Sequence, residues 1–310
     1  MSTSIRGYDM PEVAASSLAM PAVTAARAAP VRTQTRWLVA RPLLTAGLVL
    51  VLIIVVLAAI APLLPLRDPN VTAPARRLTG PGVSGYVLGS DQLGRDLLSR
   101  LLWGARVSII VAVVAAAVAF VFGGTIGLIA GYYGSLIDNV LMRLIDILMA
   151  FPYVLLAIAL VAALGPGLLN ALIAIAIVNI SFYARGVRAA VLVVRRLAFI
   201  EAARALGASD ARILLREVLP SIAAPLLVFV TLNIGALVVE TAGLSFIGLG
   251  AQPPTADWGT MLADGRQFMM TAPHVAAIPG VAVLALVWGL NMVGDGLRDM
   301  LDPTLAHTVR

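Results

Sequence analysis

The chain contains neither cysteine nor lysine. Without cysteine there is no disulfide, thiolate metal site, cysteine nucleophile or c-type haem attachment, and redox chemistry says nothing about compartment. Without lysine all 22 basic residues are arginine. A Walker P-loop ending in Gly-Lys-Ser/Thr and a Schiff-base lysine are both excluded, so any nucleotide that drives this protein must be bound by another chain. Histidine occurs only as His274 and His307, far apart in sequence and read as surface or interfacial residues rather than ligands. Charge is scarce as well: 12% of residues against about 25% in an ordinary soluble domain. What fills the chain instead is apolar, 60% of residues with a mean hydropathy of +0.98. This is the composition of a membrane protein whose main partner is the lipid bilayer. The net charge of +6 could suggest nucleic acid, but the arginines sit between apolar runs, where membrane topology places them, and no nucleic-acid partner is expected.

Residues 1–42 carry Arg6, Arg27, Arg32, Arg36 and Arg41 without an apolar period and read as a disordered cytoplasmic tail. An uncharged run, 43–66, follows and is long enough at about 1.5 Å per residue to cross a hydrocarbon core of about 30 Å. Residues 67–106 are polar and turn-rich, with leucines at helical spacing from Leu93 to Leu102. They are expected to form an extracytoplasmic loop with an amphipathic helix along the outer interface and Trp103 at headgroup level. The core 107–297 holds five further spans, expected near 107–131, 140–164, 168–183, 222–246 and 275–293, and is followed by a tail, 298–310. Six spans put both termini on one side, and the arginine-rich insert 184–221 assigns that side to the cytoplasm.

Several spans carry polar groups. Arg143 and Asp146 lie three residues apart on one helix face, which suits either an intrahelical boundary ion pair or the lining of a pathway. Pro152 is expected to kink that span or to mark its bundle-facing side. Asn233 and Glu240, seven apart, share a face of the fifth span; a cavity lining and an interhelical hydrogen bond are equally open. The glycines and prolines after Glu240 break the helix, and Trp258 suits an interfacial belt.

The stretch FIEAARALGASDARILLREVLP, 199–220, interrupts the apolar chain. Catalysis is excluded there because Glu201, Asp210 and Glu217 have no histidine, metal-ligand cluster or nucleophile beside them. A helix-turn-helix reader of DNA would need a third packing helix and free access to a duplex, and this segment is tied to the membrane at both ends. The remaining reading is a docking knob. In it Phe199, Ala203 and Leu206 form one apolar stripe and Leu214, Leu215, Val218 and Leu219 another, so that two short helices pack together. Gly207 supplies a left-handed turn, Ser209 and Asp210 cap the second helix, and Pro220 ends it or opens the next span.

Glu201-Ala202-Ala203, Gly207 six residues after the glutamate, and Leu219-Pro220 resemble the EAA loop of permease subunits in ABC importers that work with an extracytoplasmic binding protein. The stretches LGSDQLGRDLLSRLLWGARVS (88–108) and ETAGLSFIGLGAQPPTADWG (240–259) are similar to signatures of the dipeptide/oligopeptide/nickel branch and its C-type permease. One local departure is Glu217 where the pattern places an aliphatic residue. The resemblance covers 40–305 and implies an all-α, polytopic protein of six transmembrane helices with the type I ABC importer permease fold. It implies a bacterial inner-membrane subunit paired with a homologous B-type permease. Two ABC ATPase domains would hold ATP and magnesium, this chain needing no cofactor, and a binding protein would deliver a peptide, glutathione, nickel or haem. By position, Glu201 to Gly207 correspond to the first loop helix and turn, and Ala208, Ser209, Asp210, Ala211 and Arg212 lie in the coupling helix that meets an ATPase. Asp146, Asn179, Asn233 and Glu240 are the candidates for the pathway lining. An ion-coupled secondary transporter relaying through Glu240 and Asp146 is the alternative.

Overall fold

The computed structural model describes residues 42–301; the readings made of 1–41 and 302–310, His307 among them, fall outside it. Helices follow one another as α1 (Pro42–Ile60), α2 (Leu97–Tyr133), α3 (Ser135–Met149), α4 (Tyr153–Leu164), α5 (Leu168–Val194), α6 (Ala198–Ala205), α7 (Asp210–Ile213), α8 (Leu219–Phe246), α9 (Trp258–Gly265) and α10 (His274–Leu301). No strand occurs among the described residues beyond an isolated bridge between Ser90 and Asp96. The fold is all-α. Among the described residues five helical stretches are long and apolar enough to cross a bilayer alone, and α3 with α4 passes only as a pair.

That pair corrects the expected third span. Its halves are bent by 82°, and α4 alone, 12 residues, reaches only about 18 Å. The break falls at Pro152, which has no N–H to return and disfavours helical conformation at the preceding Phe151; both residues lie between the two helices. The sequence suggested a kink, and the chain turns a corner.

The expected interfacial helix is also replaced. The segment's helix starts at Leu97, capped by Asp96 accepting from the Ser99 amide at 3.0 Å, and runs unbroken through the second span to Tyr133. The polar residues before and within its first turn are buried rather than lying on a headgroup layer. Asp91 accepts from Arg95 Nε at 2.5 Å, and Arg95 and Arg100 are 4% and 2% exposed. Trp258, expected at an interface, is 2% exposed, and its Nε1 donates to Leu101 O at 2.9 Å. Ser108 Oγ donates to Asp257 Oδ1 at 2.9 Å. The two signature stretches, far apart in sequence, are therefore two sides of one buried polar seam at the end of the bundle that carries 67–96 and 247–273.

In the middle of the bundle α2 and α5 pack most closely. On α2, Ala115, Ala119, Gly123, Gly127 and Gly131 recur every fourth residue and are buried. A Cβ on Gly123 would lie 2.4 Å from Ile180 O, and one on Gly127 2.3 Å from Ala184 O, so the two backbones touch where side chains are missing. This is how helices associate where lipid competes for apolar surface. The helix α1 lies along α10, and α10 along α8. Outward faces carry Leu52, Ile53, Val121, Phe122 and Leu284, all exposed.

Candidate functional site

Two regions carry the sequence-level candidates: the hairpin 195–218 and a cavity between α5 and α8. The polar insert read as 184–221 is shorter as a loop, because α5 continues to Val194. Its first arginines therefore stand on a helix. Arg188 makes a two-pronged pair with Asp138 of α3, at 2.5 and 2.6 Å, and such pairing fixes orientation as well as charge.

The hairpin begins where Arg195 Nη1 donates to Gly131 O at 2.8 Å and Tyr132 O at 3.2 Å, covering the carbonyl end of α2. Helix α6 carries Glu201, Ala202 and Ala203. It stops at Gly207, whose φ of +83° lies in the left-handed region. The Ala208 amide donates to Ala203 O at 3.1 Å and the Gly207 amide to Arg204 O at 3.0 Å, the paired bonds of a Schellman turn. The expected glycine turn is thus present. Ser209 sits in extended conformation at the start of α7 without a side-chain cap. Asp210 does not cap either: its Oδ1 accepts from the Tyr132 hydroxyl at 2.6 Å, tying the hairpin to the end of α2. The Arg204 guanidinium lies 5.9 Å from the centre of the same ring. After α7 one π-helical turn, Leu214–Val218, leads into α8, with Pro220 in its first turn. Proline cannot donate to the carbonyl four residues back and its ring crowds that group, so a wider turn suits it.

Burial corrects the predicted stripes in part: Ala203, Leu214 and Val218 pack inward as expected, and the other four residues do not. Leu206 is 89% exposed, Leu215 63%, Phe199 41% and Leu219 38%. The buried anchors are Ile200, Ile213 and Val218, which join Tyr132, Val187, Val191 and Val194, with Ala203, Ala208 and Leu214 packed alongside. The helices are rotated by about one residue from the expected orientation because they pack back onto the ends of α2 and α5 rather than only on each other. Glu201, Ala202, Gly207, Ser209, Asp210, Ala211, Arg212 and Pro220 are exposed. The hairpin therefore has an anchored face and a free face, and the free face is unusually apolar at Phe199, Leu206 and Leu215.

The second region is a cavity of about 750 Å³ lined by Asn179 and Arg185 of α5 and Asn233 and Glu240 of α8, with Phe182 and Phe229 stacked 4.6 Å apart. Asn179 Nδ2 donates to Glu240 Oε2 at 2.9 Å. Asn179, Asn233 and Glu240 thus border one cavity, and Glu240 also bonds across helices. Asn233 is 7% exposed, and its Oδ1 has no hydrogen-bond partner. Asp146 does not line the cavity. It leaves Arg143 aside and accepts from Arg185 Nη2 of α5 at 2.7 Å, so the expected intrahelical pair is an interhelical one. No group of three or more histidine, aspartate or glutamate residues able to hold a metal occurs among the described residues.

Residues 123–307 match the family of binding-protein-dependent transport system inner membrane components. The chain is 47% identical over 259 residues to the dipeptide transport system permease protein DppC of Alkalihalophilus pseudofirmus, covering 84% of this chain and 85% of the relative. It is 44% identical over 260 residues to the glutathione transport system permease protein GsiD of Pectobacterium atrosepticum, covering 84% and 86%. Among solved structures it is similar to an inward-facing MetNI methionine ABC transporter, with a TM-score of 0.55 and 23% identity over 66% of this chain and 98% of that one, a likeness of fold. The match in family, the extent of the identity and the shared fold together make this chain a member of the binding-protein-dependent transport system inner membrane components, an ABC importer permease of the peptide branch.

Proposed function

We propose that this chain is the C-type permease of an ATP-driven importer of di- or oligopeptides, with glutathione as a related cargo, and that the hairpin 195–218 is the element through which ATPase subunits drive it. The observation that carries the reading is the free face of the hairpin. A loop tied down by Ile200, Ile213 and Val218 leaves Leu206 and Leu215 in the open. Covering such side chains contributes about 1.5 to 3 kcal/mol each. Shifting an inward/outward equilibrium from 1:99 to 99:1 needs about 5.5 kcal/mol, whereas an exposed ion pair from Arg212 supplies about 1 kcal/mol at most. Apolar docking of a rigid turn, Ala208 to Arg212 with its flanks, has the required magnitude, and the charges of Glu201, Asp210 and Arg212 choose the partner.

In this reading the chain is non-catalytic, and two ABC ATPase domains bind ATP and magnesium. A homologous B-type permease completes the pathway against the cavity of Asn179, Asn233 and Glu240, and an extracytoplasmic binding protein delivers cargo. The hairpin and both termini face the cytoplasm of a bacterium and the seam at 67–96 and 247–273 faces outward. An ion-coupled carrier relaying through Glu240 and Asp146 would leave the apolar face of the hairpin without a use. Proteoliposomes containing the whole importer test the proposal. Peptide uptake should require ATP inside the ATPase-accessible compartment and survive collapse of the proton gradient. Uptake that persists without the ATPase subunits and stops with the gradient would overturn it.

A further inference from the structure

Glu240 stands at the border of two spaces. On one side is the polar cavity with Arg185 and Asn233. On the other is an apolar pocket of about 320 Å³ that also reaches Val154, Ile158, Ile175 and Gly243. The carboxylate is held only by the Asn179 amide, and no cation pairs with it among the described residues. Two turns away on the same helix, about 10.5 Å along the axis, the buried Asn233 Oδ1 also lacks a donor. The carboxylate thus has one donor for two acceptor oxygens, and acceptor sites left unpaired away from water are costly unless something fills them. A lone carboxylate with two amides has too few ligating groups for a dedicated divalent-metal cage. A primary ammonium, which brings several N–H donors and one positive charge, fits one carboxylate oxygen and its neighbours.

We propose that Glu240 receives the α-ammonium group of the transported peptide and that the adjoining pocket takes the apolar side chain of its first residue. Gly243 lies in the wall of that pocket, and a Cβ placed on it would meet nothing within 4 Å. The position is open because the pocket is there. The stacked Phe182 and Phe229 give later side chains an apolar surface. This inference rests on the peptide-importer reading.

The test uses the complete reconstituted importer with Leu-Ala and Gly-Ala dipeptides, so that selection by the binding protein cancels between permease variants. Gly243→Leu should lower Leu-Ala uptake at least about tenfold relative to Gly-Ala by filling the pocket, and leucine is a better helix former than glycine, which protects folding. Glu240→Gln should lower uptake of both peptides at least about tenfold, the loss expected for one charged hydrogen bond, while Glu240→Asp retains most of it. An unchanged Leu-Ala to Gly-Ala ratio in Gly243→Leu, or wild-type uptake by Glu240→Gln, overturns the inference. Absence of ATP-dependent peptide uptake by the unmodified importer would instead overturn the function on which it rests.

Discussion

The two ends of the bundle are built in opposite ways. At the end carrying 67–96 and 247–273, loops are stitched together by polar groups, most of them buried, among them Asp91, Arg95 and Arg100. Asp91 holds Arg95, Arg95 reaches Asp264 at 3.3 Å, and Arg100 Nη1 donates to Pro69 O at 3.1 Å. At the hairpin end the contacts are mostly apolar, with polar ties from Tyr132 to Asp210 and from Arg195 to the Gly131 and Tyr132 carbonyls, and large apolar side chains remain open. Buried charge networks give a segment one geometry, because every alternative leaves a charge unpaired. A surface of exposed leucines on a rigid turn is incomplete until another protein covers it. The first end is finished as it stands; the second has the form of a joint.

The comparison breaks most visibly at Asp91. Asp91 Oδ2 also lies 3.6 Å from Arg100 Nε, so Asp91→Ala leaves Arg95 and Arg100 buried without their shared carboxylate and should cost about 3 to 5 kcal/mol. The loss should be read as a lowered unfolding midpoint in detergent or as failure to accumulate. Glu201→Ala on the exposed face of the hairpin should stay within about 0.5 kcal/mol in the same assay. If the two variants are equally stable, the seam is not the rigid end described here.

Leu206→Asp tests the other side of the contrast. The permease should keep its stability, while its affinity for the ATPase subunits falls by at least about thirtyfold, the loss typical of a central interface residue. Co-purification at graded ATPase concentration measures it, and undiminished recovery would count against a docking role. Gly207→Val forces a β-branched residue into the left-handed region at about 1 to 2 kcal/mol of local strain. It should still insert, yet hydrolysis of ATP should no longer yield peptide uptake. The smallest effect belongs to Tyr132→Phe, which removes the hydroxyl that Asp210 accepts and keeps the ring. The net value of such a bond is about 1 kcal/mol, so stability should change little and uptake severalfold. A variant indistinguishable from wild type in uptake would show that the tie carries no motion.

These contrasts also explain what the sequence disclosed. Apolar runs and arginine clusters announced the spans, since lipid demands long uncharged helices. Gly207 and Pro220 announced the hairpin, since backbone conformation restricts residue choice there. The burial pattern of the hairpin was legible only at Ala203, Leu214 and Val218. Ile200 and Phe199 are adjacent apolar residues, and which one faces inward depends on the ends of α2 and α5, far away in the chain. The seam was hidden for a similar reason: Arg95 and Arg100 look like a solvated face until Asp264 is brought to the first and Pro254 O to the second. The corner at Pro152 shows a weaker limit, as a proline marks a break without fixing its angle. The small-residue ladder from Ala115 to Gly131 was present at a four-residue spacing and could have been read as a close-packing face.

The central claim is that the free face of the hairpin is covered by ATPase in the working importer. The absence of cysteine makes its direct measurement clean, because Leu206→Cys introduces the sole thiol of the chain. Maleimide labelling rates for that thiol should be compared between the permease alone and the assembled complex. The account predicts fast labelling in the permease and protection of at least about tenfold in the complex; equal rates in the two would contradict it.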